Sequence, residues 1–282
     1  MKIFNWNFKE NFEIKEELIM VLGAFETLHL GHYELVKLAK DLKNTLNKNK
    51  IAIMLFKDSY KNLVNNEKKA FQTKTRLYTL FNLGFDYVFI VDSLKDNLRT
   101  SHIDFCENLK LNNVKHVVCG FDFKFGFQKL GNIDYLKKNF NVLVANERKV
   151  QKRKISSSLI RELIEEGNIH AINNLLIEKY AFITHLEKLN FSFPKNLLKP
   201  KPGIYIINCV IEDLEYHGII KISNDLENQI DNEIYLFDLE LIPSKYKEVF
   251  IELENPIRYI NFKHENQINE KDIEIGKQWF LK

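Results

Sequence analysis

The chain has 282 residues, 45% of them hydrophobic and 28% charged, with a formal net charge of +3. Such a composition can bury a sizeable core, and the length suits one large domain or two ordinary ones. The small net charge is no electrostatic footprint for nucleic acid, the charged opening MKIFNWNFKENFEIKEE is no secretion signal, and no apolar run reaches the roughly 18 residues that span a membrane. Cys106, Cys119 and Cys209 are odd in number, far apart and without a CxxC pair. They predict reduced thiols in a cytoplasmic protein rather than a disulfide framework or a zinc site.

From residue 18 to about 180, short apolar runs alternate with helical periodicity. The predicted strands are LIMVLGA (18–24), IAIMLF (51–56), YVFIV (87–91), HVVCG (116–120) and NVLVA (141–145). After the first, Leu35, Leu38, Ala39, Leu42 and Leu46 fall on one helical face. Strands this uniformly apolar are covered on both sides, which predicts a parallel sheet with crossover helices. Ligands of such sheets bind beyond the carboxyl ends of the strands. Near residue 185 the pattern changes. LNFSFPKNLLKPKPGIY holds three of the five prolines and reads as a linker. The runs GIYIINCVI (203–211), HGIIKIS (217–223), EIYLFDLEL (233–241), EVFIEL (248–253) and IRYINF (257–262) then predict a small antiparallel barrel, closed by a polar helical tail at about 265–280.

Three clusters stand out against this frame. In VLGAFETLHLGH, His29 and His32 lie at the mouth of the first helix, where free N–H groups and the helix dipole favour an anion. Gly23 and Gly31 spare side chains where a phosphate approaches the backbone. Imidazoles supply donors for charge developing on phosphate oxygens, although two loop histidines packed on the sheet are the plain alternative. In KISSSLIRELIEEG, Ser156, Ser157 and Ser158 offer hydroxyls and Arg161 lies one turn into a helix that ends before Gly167. The plain alternative is a serine-capped helix with a surface arginine. In VVCGFDFKFGFQKLGN, Phe121, Phe123, Phe125 and Phe127 surround Asp122 after Gly120; they either pack a turn or flank a planar ring.

Together GAFETLHLGH, CGFDFKFG…LGN and KISSSLIRELIEEGNIHAINNLL resemble, in order and spacing, the bacterial FAD synthetases of the HxGH nucleotidyltransferase superfamily. The resemblance implies an α/β chain: a Rossmann-like parallel-sheet FMN adenylyltransferase domain over 1–184, then a flavokinase-like β-barrel over 185–282. It implies a direct in-line attack of the FMN phosphate on the α-phosphorus of ATP, giving FAD and pyrophosphate, with magnesium carried on the nucleotide. His29, His32 and Arg161 would be catalytic. Gly23, Ala24, Phe25, Gly31, Gly120, Asp122, Phe123, Ser156, Ser157 and Ser158 would bind nucleotide. Two departures are visible: Phe25-Glu26-Thr27 where the family has Phe-Asp-Gly, and Ser158 where threonine is commoner.

KPKPGIYIINCV and IRYINF…ENQINEKDIEIGKQWF are similar to the opening and closing of the family's kinase barrel. The kinase pattern is a glycine-rich loop followed by Gly-Phe-Pro-Thr-Ala-Asn, and this chain has THLEKLNFSFPKNLL. Lys195 stands where the threonine belongs, leaving Asn196 and the strand residue Glu233 as remnants. The second phosphate-side loop is replaced by GIIKISNDLENQIDN (218–232). A backbone phosphate cradle needs glycine, so the barrel is expected to be degenerate as a kinase. The alternative is a fully bifunctional enzyme that also phosphorylates riboflavin. Two further readings remain: another HxGH transferase acting on a pantetheine or nicotinamide nucleotide, and a flavin-binding protein without turnover. ATP and FMN are the expected small-molecule partners, with neither nucleic acid nor membrane.

Overall fold

The computed structural model describes residues 1–58, 62, 65–93, 95–223, 232–238 and 248–281. They form two compact units, Met1–Glu67 with Leu77–Ser156, and Lys68–Arg76 with Ser157–Lys282.

The first unit contains β1 (Lys2–Trp6), β2 (Leu18–Leu22), β3 (Lys50–Phe56), β4 (Tyr87–Val91), β5 (Val114–Gly120) and β6 (Asn141–Ala145). They make one sheet in the order β1-β4-β3-β2-β5-β6, with every neighbouring pair parallel. The helices between these strands include α1 (Leu30–Leu46), α2 (Thr73–Asn82, its first four residues counted with the second unit), α3 (His102–Leu111) and α4 (Ile133–Lys137). Each predicted strand appears where its apolar run lies, and β2 is buried at every position. One strand was not signalled. Only Trp6 of the five residues of β1 is buried, so it has no apolar run; its indole Nε1 donates to Asn108 Oδ1 at 2.6 Å inside the core.

The strand order fixes where a ligand can sit. From β2 the chain winds outward through β3 and β4, then crosses back to place β5 on the other side of β2. The carboxyl ends of β2 and β5 are therefore the switch point, with Leu22 opposite Cys119. The loops that leave these two strands carry the histidine motif and the Phe-rich motif. α1 starts there because its apolar face, Leu35, Val36 and Ala39, is buried, and it stops at Asn47 in the left-handed region.

The second unit contains β9 (Ala181–Thr184), β10 (Leu186–Glu187), β11 (Asn190–Phe191), β12 (Gly203–Ile211), β13 (Leu214–Ile222), β14 (Asn232–Leu236) and β15 (Val249–Tyr259). All neighbours in the order β10-β11-β14-β13-β12-β15-β9 are antiparallel. The end strands β9 and β10 are joined by His185 alone, so the sheet returns on itself as a nearly closed barrel. EVFIEL and IRYINF are one strand, not two: β15 runs through Pro256 because register shifts against β12 relieve the ladder where proline cannot donate. Of the 233–241 run, residues 239–241 lie outside the described residues. Helices α5 (Ser157–Glu166), α6 (Ile169–Asn173) and α7 (Glu270–Phe280) complete the unit. Strand β9 and helices α5 and α6 place the start of this unit ahead of residue 185. A two-stranded ribbon of β7 (Lys149–Val150) and β8 (Arg153–Lys154) ends the first unit.

Candidate active site

The turn after β2 brings its own rings together. His29 caps α1: its Nδ1 accepts the backbone N–H of His32 at 3.2 Å. With Nδ1 taken as an acceptor, the proton of the neutral ring sits on Nε2. The two imidazoles stack with centroids 3.8 Å apart and planes at 9°. Burial holds His29 down to about 4, against an ordinary 6.5, and the field of Lys154 pushes the same way. His32 is lowered too, first by burial and then by His29, while a hydrogen bond to the Thr27 backbone opposes the shift. The pair is therefore neutral at pH 7. It can donate hydrogen bonds to an anion without itself carrying charge.

The glycines serve this packing. A Cβ on Gly23 would lie 2.9 Å from the Phe25 ring, and one on Gly31 would lie 3.0 Å from the His29 ring. The room expected for a phosphate is thus partly filled by the motif's own side chains. Ala24 is exposed at the strand end, whereas Phe25 is fully buried. The Thr27 that replaces the family's glycine is buried and costs the turn nothing, because the positive φ falls on Phe25 instead.

The loop after β5 meets this turn through a lysine that the motif reading passed over. Lys154 Nζ pairs with Asp122 Oδ2 at 2.7 Å and with Glu147 at 3.6 Å, and it lies over the Phe121 ring at 5.1 Å. Asp122 is exposed and already engaged. Gly120 would tolerate a side chain, since a Cβ there meets Asp122 at an ordinary 3.4 Å. Phe123 stacks on buried Phe125 and leans on the core; Phe121 and Phe127 are exposed, and Lys154 already covers one face of the Phe121 ring. Lys154 was findable: it stands two residues before the serine run, in the basic ribbon KVQKRK.

Ile155 carries the ribbon back to the histidines, its carbonyl 3.5 Å from the Cβ position of Gly31. Ser156 ends the first unit. Ser157, Ser158 and Arg161 belong to α5 in the second unit; Ser157 and Arg161 are half-buried and Ser158 is exposed. Among the described residues no cluster of His, Cys, Asp or Glu is arranged to hold a metal ion, and no helix is long and apolar enough to cross a membrane.

In the barrel, a cavity of about 430 Å³ is lined by Thr184, His185, Phe193, Lys195 and Glu248 among others. Asn196 is exposed, and its carbonyl accepts the Lys69 N–H at 2.8 Å. Glu233 lies opposite Lys221 across β13 and β14, with Lys221 Nζ 3.7 Å from its carboxylate. Residues 224–231 of the 218–232 loop lie outside the described residues.

The FAD synthetase family model matches residues 11–159. A Buchnera aphidicola (subsp. Acyrthosiphon pisum) protein described as a bifunctional riboflavin kinase/FMN adenylyltransferase is 29% identical over 85% of each chain. A Listeria monocytogenes protein of the same description is 26% identical over 78% of each. The crystal structure of a Streptococcus pneumoniae protein described as a macrolide-efflux protein superposes with a TM-score of 0.79, covering 99% of this chain and 96% of that one. At 20% identity that likeness concerns the fold alone. The matched segment contains strands β2 to β6 of the parallel sheet, the stacked histidines and the serine run, and the chain belongs to the FAD synthetase family.

Proposed function

We propose that this FAD synthetase joins ATP and FMN at the switch point of its parallel sheet. An FMN phosphate oxygen attacks the α-phosphorus of ATP, the bond to the bridging oxygen breaks, and pyrophosphate leaves. FAD forms without a covalent enzyme intermediate. The observation that carries this reading is the stacked, neutral pair His29–His32. A neutral Nε2–H holds a phosphate oxygen while charge builds on it, with no proton to lose first. The remaining first-turn N–H groups of α1 point beyond the helix start and add to this field.

Lys154, Ser156, Ser157, Ser158 and Arg161 are proposed as donors to the outer phosphates. Lys154 would exchange Asp122 for a phosphate oxygen. The backbone of Gly23, Ala24 and Phe25 would run along the nucleotide, while Gly120, Asp122 and Phe123 would shape the pocket beside the exposed Phe121. Magnesium would come with ATP and supply neutralising charge at the phosphates, held by the nucleotide rather than by a cage of protein carboxylates. Imidazole, hydroxyl and lysine donors fit a nucleotide that brings its own cation. A cytoplasmic setting, with its reduced thiols and nucleotide supply, suits this chemistry. Replacing His29 by Ala tests the reading, since FAD formation should stop while FMN binding persists.

For residues 185–282 we propose a kinase-like barrel impaired in phosphoryl transfer. Lys195 replaces the hydroxyl that would hold magnesium, and Glu233 is occupied by a buried cation, Lys221. The bifunctional reading has its own support in the two relatives so described, which align over most of this chain. A riboflavin kinase assay separates the two.

A further inference from the structure

Phe25 is the residue of the histidine turn with the least evident task and the most demanding position. Its side chain is fully buried. Its backbone sits at φ +48°, in the left-handed region that a bulky residue occupies only at a cost of about 1 kcal/mol or more. Glycine would take that turn without strain. The ring therefore has to repay the backbone.

What it touches says how. The Phe25 ring centroid lies 4.7 Å from that of His32, with the planes tilted by 54°. His32 in turn stacks on His29. The three rings touch in series with His32 in the middle, and both glycines of the motif make room for them: Phe25 fills the slot left at Gly23, and His29 the slot left at Gly31. Hydrogen bonds alone do not hold the middle ring. His32 bonds the Thr27 backbone, but its Nδ1 is buried without a partner. A ring tied at one nitrogen can pivot about that bond unless its faces are held.

We propose that Phe25 is a positioning residue for the histidine pair, backing His32 from one side as His29 does from the other, so that both imidazoles keep fixed edges toward the phosphates. The proposal rests on the reading of His29 and His32 as phosphate donors. Phe25 itself touches no reacting atom. The titratable groups that bear on His32 are His29 and the ammonium of Lys154.

The test uses the full chain with Phe25→Gly, which relaxes the left-handed backbone while deleting the ring, and Phe25→Leu, which keeps bulk without a flat face. Two readouts are taken. The first is kcat and KM for FAD formation. The second is the pH titration and ring-current shift of the His29 and His32 ring carbons, followed by NMR in histidine-labelled protein. Both variants should lose kcat, by about a hundredfold in Phe25→Gly, because small misplacements of donors cost that much. The His32 signals should leave their ring-shifted positions and titrate closer to an ordinary histidine. If kcat stays within about twofold of wild type, or if it falls while the His32 signals stay put, the proposal is overturned. Should Phe25→Gly fail to fold, Phe25→Leu carries both readouts. If the wild-type chain makes no FAD, the adenylyltransferase reading fails, and the imidazole signals still decide the role of Phe25.

Discussion

His29 spends one ring nitrogen on the backbone N–H of His32 and lays its ring flat against that of the same residue, 3.8 Å away. One short contact thus caps the helix, selects the tautomer and covers a face of each imidazole. A lone histidine in a loop would have none of these constraints.

A pH dependence follows. His29 protonates near 6.5 in the unfolded chain but only at about 4 when folded, because burial disfavours the cation. Its contribution is therefore intact above pH 6.5, is lost progressively as pH falls toward 4, and stays lost below that. The difference amounts to about 3 kcal/mol for this residue, and His32 acts in the same direction. Urea melts between pH 4 and 7 should show wild-type stability falling with acid and a shallower fall in His29→Asn. Parallel profiles would count against the buried, neutral pair.

Lys154 should matter to substrate more than to stability. Its bond to Asp122 is between two largely exposed side chains, a pairing worth under about 1 kcal/mol. Lys154→Ala is expected to lower kcat/KM for ATP about tenfold, the scale of one charge-assisted hydrogen bond, with little change in melting. Unchanged kinetics would remove this residue from the site.

The sheet was legible in the sequence because its central strands β2 and β3 are buried on both faces and its other strands except β1 still carry apolar runs. The site was half legible. His29, His32 and the serine run announce themselves by spacing, but the packing of the two rings against Phe25 and the Thr27 backbone comes from tertiary contacts that the spacing does not reveal. β1 was hidden because four of its five residues are not buried. The break predicted at residues 254–256 was wrong for a related reason: Pro256 reads as a strand end, whereas a bulged pairing with β12 lets the strand pass through.

Arg258 and Asp272 clamp the closing helix to the barrel beside its apolar contacts. Arg258 donates from Nε and one terminal nitrogen to the two oxygens of Asp272, at 2.9 and 2.8 Å, and also reaches the carbonyls of Glu265 and Gln267. Asp272 is buried and doubles as a capping-box residue of α7. Asp272→Ala leaves a half-buried guanidinium without its carboxylate and should cost about 3 kcal/mol, read as lost hydrogen-exchange protection over residues 270–280. Full protection would show that the clamp is dispensable.

Riboflavin with ATP should give FMN at least a hundredfold more slowly than the adenylyl step runs, given Lys195 and the Lys221–Glu233 pair. Lys195→Thr should raise that rate. An ordinary enzymatic rate in the wild type would instead establish the bifunctional enzyme.

Supplying the purified 282-residue chain with FMN, ATP and magnesium, and quantifying FAD together with pyrophosphate, bears most directly on the whole account. Stoichiometric formation of both products in the wild type, abolished in His29→Ala while FMN still binds, is the expected result. Undiminished turnover in that variant, or FAD absent from the wild-type reaction, would contradict it.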